Sequence, residues 1–118
     1  MKGIKMAIIG YIHISSHKQV LEHQEFEIEK FARTQKIKIN KWVREVASSC
    51  KVLDKHRLKE LLDEVKEGDI LIACEISKLG RSLLEVMHVL QMCLNKKCQV
   101  WIIKENYRFG NRGTETIF

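Results

Sequence analysis

A serine hydroxyl becomes a useful nucleophile only where the negative charge that builds up during its attack is met by fixed positive groups. Ser15 and Ser16 follow the apolar run from Met6 to Ile14 and precede a helical pattern, so a strand hands both to a helix N-terminus. Backbone N–H groups are unpaired there, and the helix dipole favours an anion. Ser16-His17-Lys18-Gln19 has capping-box spacing, which assigns Ser16 to the helix N–H groups and leaves Ser15 uncommitted. Lys78 and Arg81 lie just ahead of another predicted helix, and Lys55 and Arg57 at the start of a third. Cations at such places oppose the dipole by roughly 0.3–1 kcal/mol each, and an anion held between them and the helix reverses that sign. Singly, each of these cations also reads as a solvated surface residue. Together they describe a phosphate site whose nearest nucleophile is Ser15.

The elements between these residues must bring them together. Val20, Leu21, Gln24, Ile28, Phe31 and Ala32 recur at helical spacing, predicting a helix over about residues 16–35 with Gln24 as the polar exception on its stripe. Ile37, Ile39, Trp42 and Val43 predict a strand over about 38–45, followed by an exposed loop over 46–53. Asp54 can cap a second helix, whose Leu58, Leu61, Leu62 and Val65 form one stripe and which ends at Gly68. Ile70 to Cys74 is a continuous apolar run, expected of a strand buried on both faces, and Ser77 to Arg81 is a short loop. Ser82-Leu83-Leu84-Glu85 is a second capping box, opening a helix that runs to about Asn95. Its Leu83, Leu84, Val86, Met87, Val89, Leu90 and Cys93 surround more than one face, which predicts burial on two sides, against a protein partner or against the sheet and a neighbouring helix. Residues 99–103 supply a fourth strand, and 104–113 read as a glycine-containing basic loop. The alternation predicts an α/β, three-layer domain with a mainly parallel four-stranded sheet and helices on both faces. Ligands of such sheets sit at the carboxyl ends of the strands, which here carry His13, Ser15, the 46–54 loop and the 77–81 loop.

The 118 residues fit one domain, with no internal boundary. A net charge of +6 points toward a polyanionic partner such as nucleic acid. Cys50, Cys74, Cys93 and Cys98 show neither a CxxC pair nor zinc-finger spacing, and read as reduced thiols in a cytosolic protein. His13, His17 and His23 are scattered by strand and helix geometry, so no metal site is expected. No stretch approaches the ~20 apolar residues of a membrane span, which predicts a soluble, intracellular chain.

Gly10-Tyr11-Ile12-His13-Ile14-Ser15, then Gln24, Asp54-Lys55-His56-Arg57-Leu58, Glu67-Gly68-Asp69 and Leu79-Gly80-Arg81-Ser82 follow one another in an order that resembles the catalytic domain of the serine site-specific recombinases, the resolvase/invertase family. The resemblance covers nearly the whole chain and implies a resolvase-like catalytic domain over residues 1–118. It also implies that the family's dimerisation helix and separate DNA-binding domain are not included in these residues. By that resemblance Ser15 is the nucleophile, attacking a DNA phosphodiester to give a 5′-phosphoserine linkage and a free 3′-hydroxyl, without metal or cofactor. Gln24, Asp54, Lys55, Lys78 and Arg81 would hold or orient the phosphate, with Arg57 taking the place of Lys55 if the register slips. Lys55, Arg57, Lys78 and Arg81 are thus the expected DNA phosphate-binding set. The family carries arginine where this chain has His13, Lys55 and Lys78, and keeps it at Arg81. The implied partners are duplex DNA at a recombination site and further copies of the chain, as dimer or tetramer, in a nucleoid-associated cytoplasmic setting. The rival reading is an impaired, truncated remnant acting only as a DNA-associating or oligomerisation module.

Overall fold

Strand β1, Ile8–Ile14, is buried at six of its seven residues, because it lies inside the sheet with a layer of helix on each face. The computed structural model describes residues 6–14, 18–46 and 56–110. Within them follow α1 (Lys18–Thr34), β2 (Lys41–Val46), α2 (His56–Glu64), β3 (Ile70–Ala73), a 3-10 turn (Ile76–Leu79), α3 (Leu83–Asn95), β4 (Gln99–Ile102) and β5 (Tyr107–Phe109). The sheet order is β2-β1-β3-β4-β5, parallel except for β5. The expected α/β class and parallel sheet are therefore present, with a fifth, antiparallel strand in the segment read from sequence as a loop. Asn106 makes that hairpin possible. It adopts φ 62°, a left-handed conformation that asparagine tolerates, and reverses the chain between β4 and β5.

The chain runs from β1 outward to β2, then returns past β1 to β3 and on to β4. Crossovers of one hand must place helices from opposite directions of travel on opposite faces. Accordingly α1 packs its Ile28 and Phe31 with Ile8, Ile12, Ile14, Ile72 and Trp101 on one face. On the other, Leu58, Leu61 and Leu62 of α2 and Val86, Val89 and Cys93 of α3 close over Ile9, Tyr11, Leu71 and Val100. Gly10 admits the indole of Trp42 on β2; a Cβ there would lie 2.6 Å from the ring.

The Glu67-Gly68-Asp69 motif lies at the amino end of β3, away from the strands' carboxyl ends. Gly68 turns at φ 94°, and the buried Asp69 carboxylate accepts the Ala7 N–H at 3.0 Å and the Lys66 N–H at 2.9 Å. It ties the start of β1 to the exit of α2. The third helix is covered on one of its two apolar sides within the chain. Only one stripe, Val86, Val89 and Cys93, is buried, whereas Leu83 and Leu84 are 73% and 78% exposed. The sheet covers one side of α3, and α2 reaches only part of the next. Among the described residues no helix is long and apolar enough to cross a membrane.

Candidate active site

The sheet reverses its direction of winding between β1 and β3, and the crevice beyond their carboxyl ends is the usual ligand position in such folds. The two strands end unequally. Ala73, the last residue of β3, pairs with Tyr11, so β1 continues to Ile14 without a β3 neighbour. Backbone parity says which groups this strands. The Ala7 carbonyl accepts from Ile70 of β3 and the Ile8 carbonyl from Asn40 beside β2, so odd-numbered residues of β1 face β3. His13 is therefore the residue whose N–H and C=O face the gap. Gln24 of α1 fills it: its Oε1 accepts the His13 N–H at 3.4 Å and its Nε2 donates to the His13 carbonyl at 3.1 Å. The side-chain amide continues the ladder as a substitute peptide group. This accounts for a glutamine only 4% exposed on an otherwise apolar stripe.

Two residues back, Tyr11 is fully buried, and its ring meets the His13 imidazole edge-on at 6.5 Å. Its hydroxyl finds no hydrogen-bond partner among the described residues. Burial first, and then the Glu45 carboxylate, push its pKa well above the usual phenol range. Glu45, 6% exposed and paired with His13 across the β1–β2 ladder, accepts the Leu58 N–H at 3.1 Å through Oε1. A carboxylate thus occupies the amino end of α2, where the helix dipole favours it.

Beyond β3 the chain passes Cys74 and Glu75 into the 3-10 turn that carries Lys78. The Ile76 N–H donates to Glu105 Oε1 at 3.1 Å, so the β4–β5 hairpin braces the turn. The Lys78 side chain is half-buried and its charge acts on the Cys74 thiol, which burial and then Glu27 nevertheless raise to about 11. Leu79 is fully buried against the core that holds Tyr11, anchoring the turn beside β1. Gly80 is required by contact: a Cβ would lie 2.7 Å from Glu85 Cβ and 2.9 Å from the Val86 nitrogen. Ser82 caps α3 by accepting the Glu85 N–H at 3.2 Å. The Glu85 carboxylate accepts the Arg81 N–H at 2.8 Å, one residue before the capping-box position. Arg81 leaves the fold at a fixed point with its side chain in solvent.

Residues 8–118 match the sequence model of a protein family described as "Resolvase, N terminal domain". The chain belongs to the resolvase family. No curated protein sequence matches it significantly. The resolvase fold is found again in a resolvase family site-specific recombinase from Streptococcus pneumoniae, with TM-score 0.74 and 15% identity over 92% of this chain and 79% of that one. The N-terminal catalytic domain of TP901-1 integrase superposes with TM-score 0.71 and 12% identity, covering 90% of this chain and 83% of that chain. The C-terminal catalytic domain of ISC1926 TnpA, an IS607-like serine recombinase, gives 0.66 and 16%, covering 93% and 72%. At such identities the shared property is the fold.

Within this resolvase domain the expected site residues separate into groups. His13 and Gln24 are joined directly, and the turn holding Lys78 packs against β1 and β3 just before Arg81. Arg57 lines a groove of about 210 Å³ between α2 and β2, with Trp42, Glu60 and Glu64. Ser15, Asp54 and Lys55 lie outside the described residues. Glu45, in sequence only the end of a predicted strand, and Tyr11 are not among the residues expected at the site. A carboxylate near the end of an apolar strand, ahead of a helix start, was the available signal for Glu45.

Proposed function

We propose that this domain cleaves and rejoins DNA strands by phosphoryl transfer through Ser15. The observation that carries the reading is the clamp of Gln24 on His13. It fixes the end of β1 in the winding-reversal crevice, beside the turn of Lys78 and two residues before the serine. In the reaction a Ser15 Oγ–P bond forms, the P–O3′ bond breaks and the 3′-oxygen takes a proton. One phosphate ester replaces another, so the energy needed for rejoining is retained. Lys78 and Arg81 supply positive charge to the pentavalent transition state, and α3 begins beside them with its N-terminal dipole. Gln24 acts through the backbone as a positioning residue. Copies of the chain associate, and the exposed Leu83, Leu84 and Met87 of α3 support that reading.

A second reading keeps the fold and loses the chemistry. It is favoured by His13, Lys55 and Lys78 standing where the family carries arginine, whose planar fork holds a phosphate with two directed bonds. Each lost contact of this type costs roughly 10²–10³ in rate. Incubation with a nicked recombination site separates the two. A covalent protein–DNA adduct that vanishes in Ser15→Ala supports catalysis. An adduct seen only after His13→Arg, Lys55→Arg and Lys78→Arg are combined supports the impaired form.

A further inference from the structure

The far end of α3 carries a pair of thiols that phosphoryl transfer does not use. The helix closes in a Schellman motif: the Cys98 N–H donates to the Cys93 carbonyl at 2.8 Å and the Lys97 N–H to the Leu94 carbonyl at 3.0 Å, with Lys97 left-handed at φ 63°. This motif brings the side chain of the third-last helical residue against that of the residue just past the turn. Here both are cysteine. Cys93 and Cys98 are fully buried in the same core, with the Cys98 thiol donating to the Gln99 carbonyl at 3.5 Å. The partners are set side by side by backbone geometry, and the turn between them is only four residues long.

We propose that Cys93 and Cys98 are a redox pair, converted by a hydroperoxide to a reversible intrachain disulfide. The Cys93 thiol is the first to react. The neighbouring Cys98 thiol, and the Lys96 ammonium after it, lower its pKa against the opposing effect of burial. Its thiolate attacks the terminal peroxide oxygen, the O–O bond breaks to give a sulfenic acid, and the departing hydroxide (or alkoxide) takes up the proton the thiol released and leaves as water (or alcohol). The Cys98 sulfur then attacks the Cys93 sulfur, the S–O bond breaks, and the departing hydroxide takes the Cys98 proton to leave as water. The two thiols lose two electrons and two protons, and the peroxide is reduced. Both thiols are fully buried, so the reaction requires the α3–β4 turn to open far enough to admit a hydroperoxide. The product ties the last turn of α3 to the residue before β4, so the helix that starts at the Arg81 loop becomes fixed at both ends.

The test is treatment of the full chain with hydrogen peroxide, followed by alkylation under denaturing conditions, intact mass and peptide mapping. The expected result is a loss of about 2 Da confined to a linked Cys93–Cys98 peptide and reversed by dithiothreitol. In Cys98→Ala a sulfenic acid should instead be trapped on Cys93 by dimedone, and Cys93→Ala should leave Cys98 unoxidised. Full alkylation of both residues after peroxide treatment would overturn the proposal, as would linkage through Cys50 or Cys74. The wild-type peptide map decides by itself if either alanine variant fails to fold.

Discussion

Replacing Gln24 by leucine keeps the side-chain volume nearly constant and removes both hydrogen bonds to His13, at 3.1 and 3.4 Å. A net hydrogen bond is worth about 1 kcal/mol, and a backbone group left unsatisfied inside the protein costs a further ~1–3 kcal/mol. His13 is half-buried, so water can partly replace the lost amide, and one of the two bonds is long. These considerations place the destabilisation at about 2–3 kcal/mol, or roughly 10 °C in Tm for a domain of this size. Thermal and urea unfolding measure it directly. Gln24→Glu should also fall short at neutral pH, because a carboxylate accepts from the His13 N–H but cannot donate to its carbonyl. Strand cleavage should drop in Gln24→Leu even at temperatures where the variant is fully folded, since the end of β1 is no longer held. A Gln24→Leu domain within about 0.5 kcal/mol of wild type would refute the substitute-peptide role.

Gly80→Ala pushes a methyl group into Glu85 Cβ and the Val86 nitrogen at the start of α3. Calorimetry should show a loss of about 1–3 kcal/mol, with Arg81 displaced and cleavage reduced alongside. Stability should decline as pH rises between about 9 and 11: Cys74 has its pKa raised from 9.0 to about 11, so the unfolded chain loses the proton first. The contribution is intact below 9 and lost on passing 11, and Cys74→Ala should flatten that part of the pH–stability curve. DNA binding should weaken linearly with the logarithm of salt concentration. Lys78→Ala and Arg81→Ala should each reduce the slope by about 0.9 in a titration, and an unchanged slope would remove that residue from the phosphate contacts.

The helices and parallel strands were legible because their signals are local: the Leu58, Leu61, Leu62 stripe, the apolar run into Ala73 and the Ser82 cap all concern neighbours in sequence. Strand β5 is not legible in the sequence, because three residues, none of them buried, carry little periodicity and their pairing with β4 depends on the left-handed turn at Asn106. What covers the second face of α3 is not legible in the sequence for a related reason. Helical periodicity counts apolar residues and does not say how many neighbours the fold supplies. At the site, Gln24 was visible as a polar intruder on an apolar stripe. Its partner was not visible, since the gap it fills exists only because β3 stops three residues before β1 does. Glu45 escaped for the same reason. The N–H it accepts belongs to Leu58, 13 residues later, and becomes a neighbour only when α2 folds back across β2.

Ser15, the residue following β1, is the proposed nucleophile. Suicide substrates carrying a nick near the scissile phosphate, incubated with the chain and separated on a denaturing gel, test it most directly. A covalent adduct is expected at the 5′-phosphate, mapped by mass spectrometry to the peptide containing Ser15 and absent in Ser15→Ala. An adduct that persists in Ser15→Ala, or that maps to Ser16 or another residue, would contradict it.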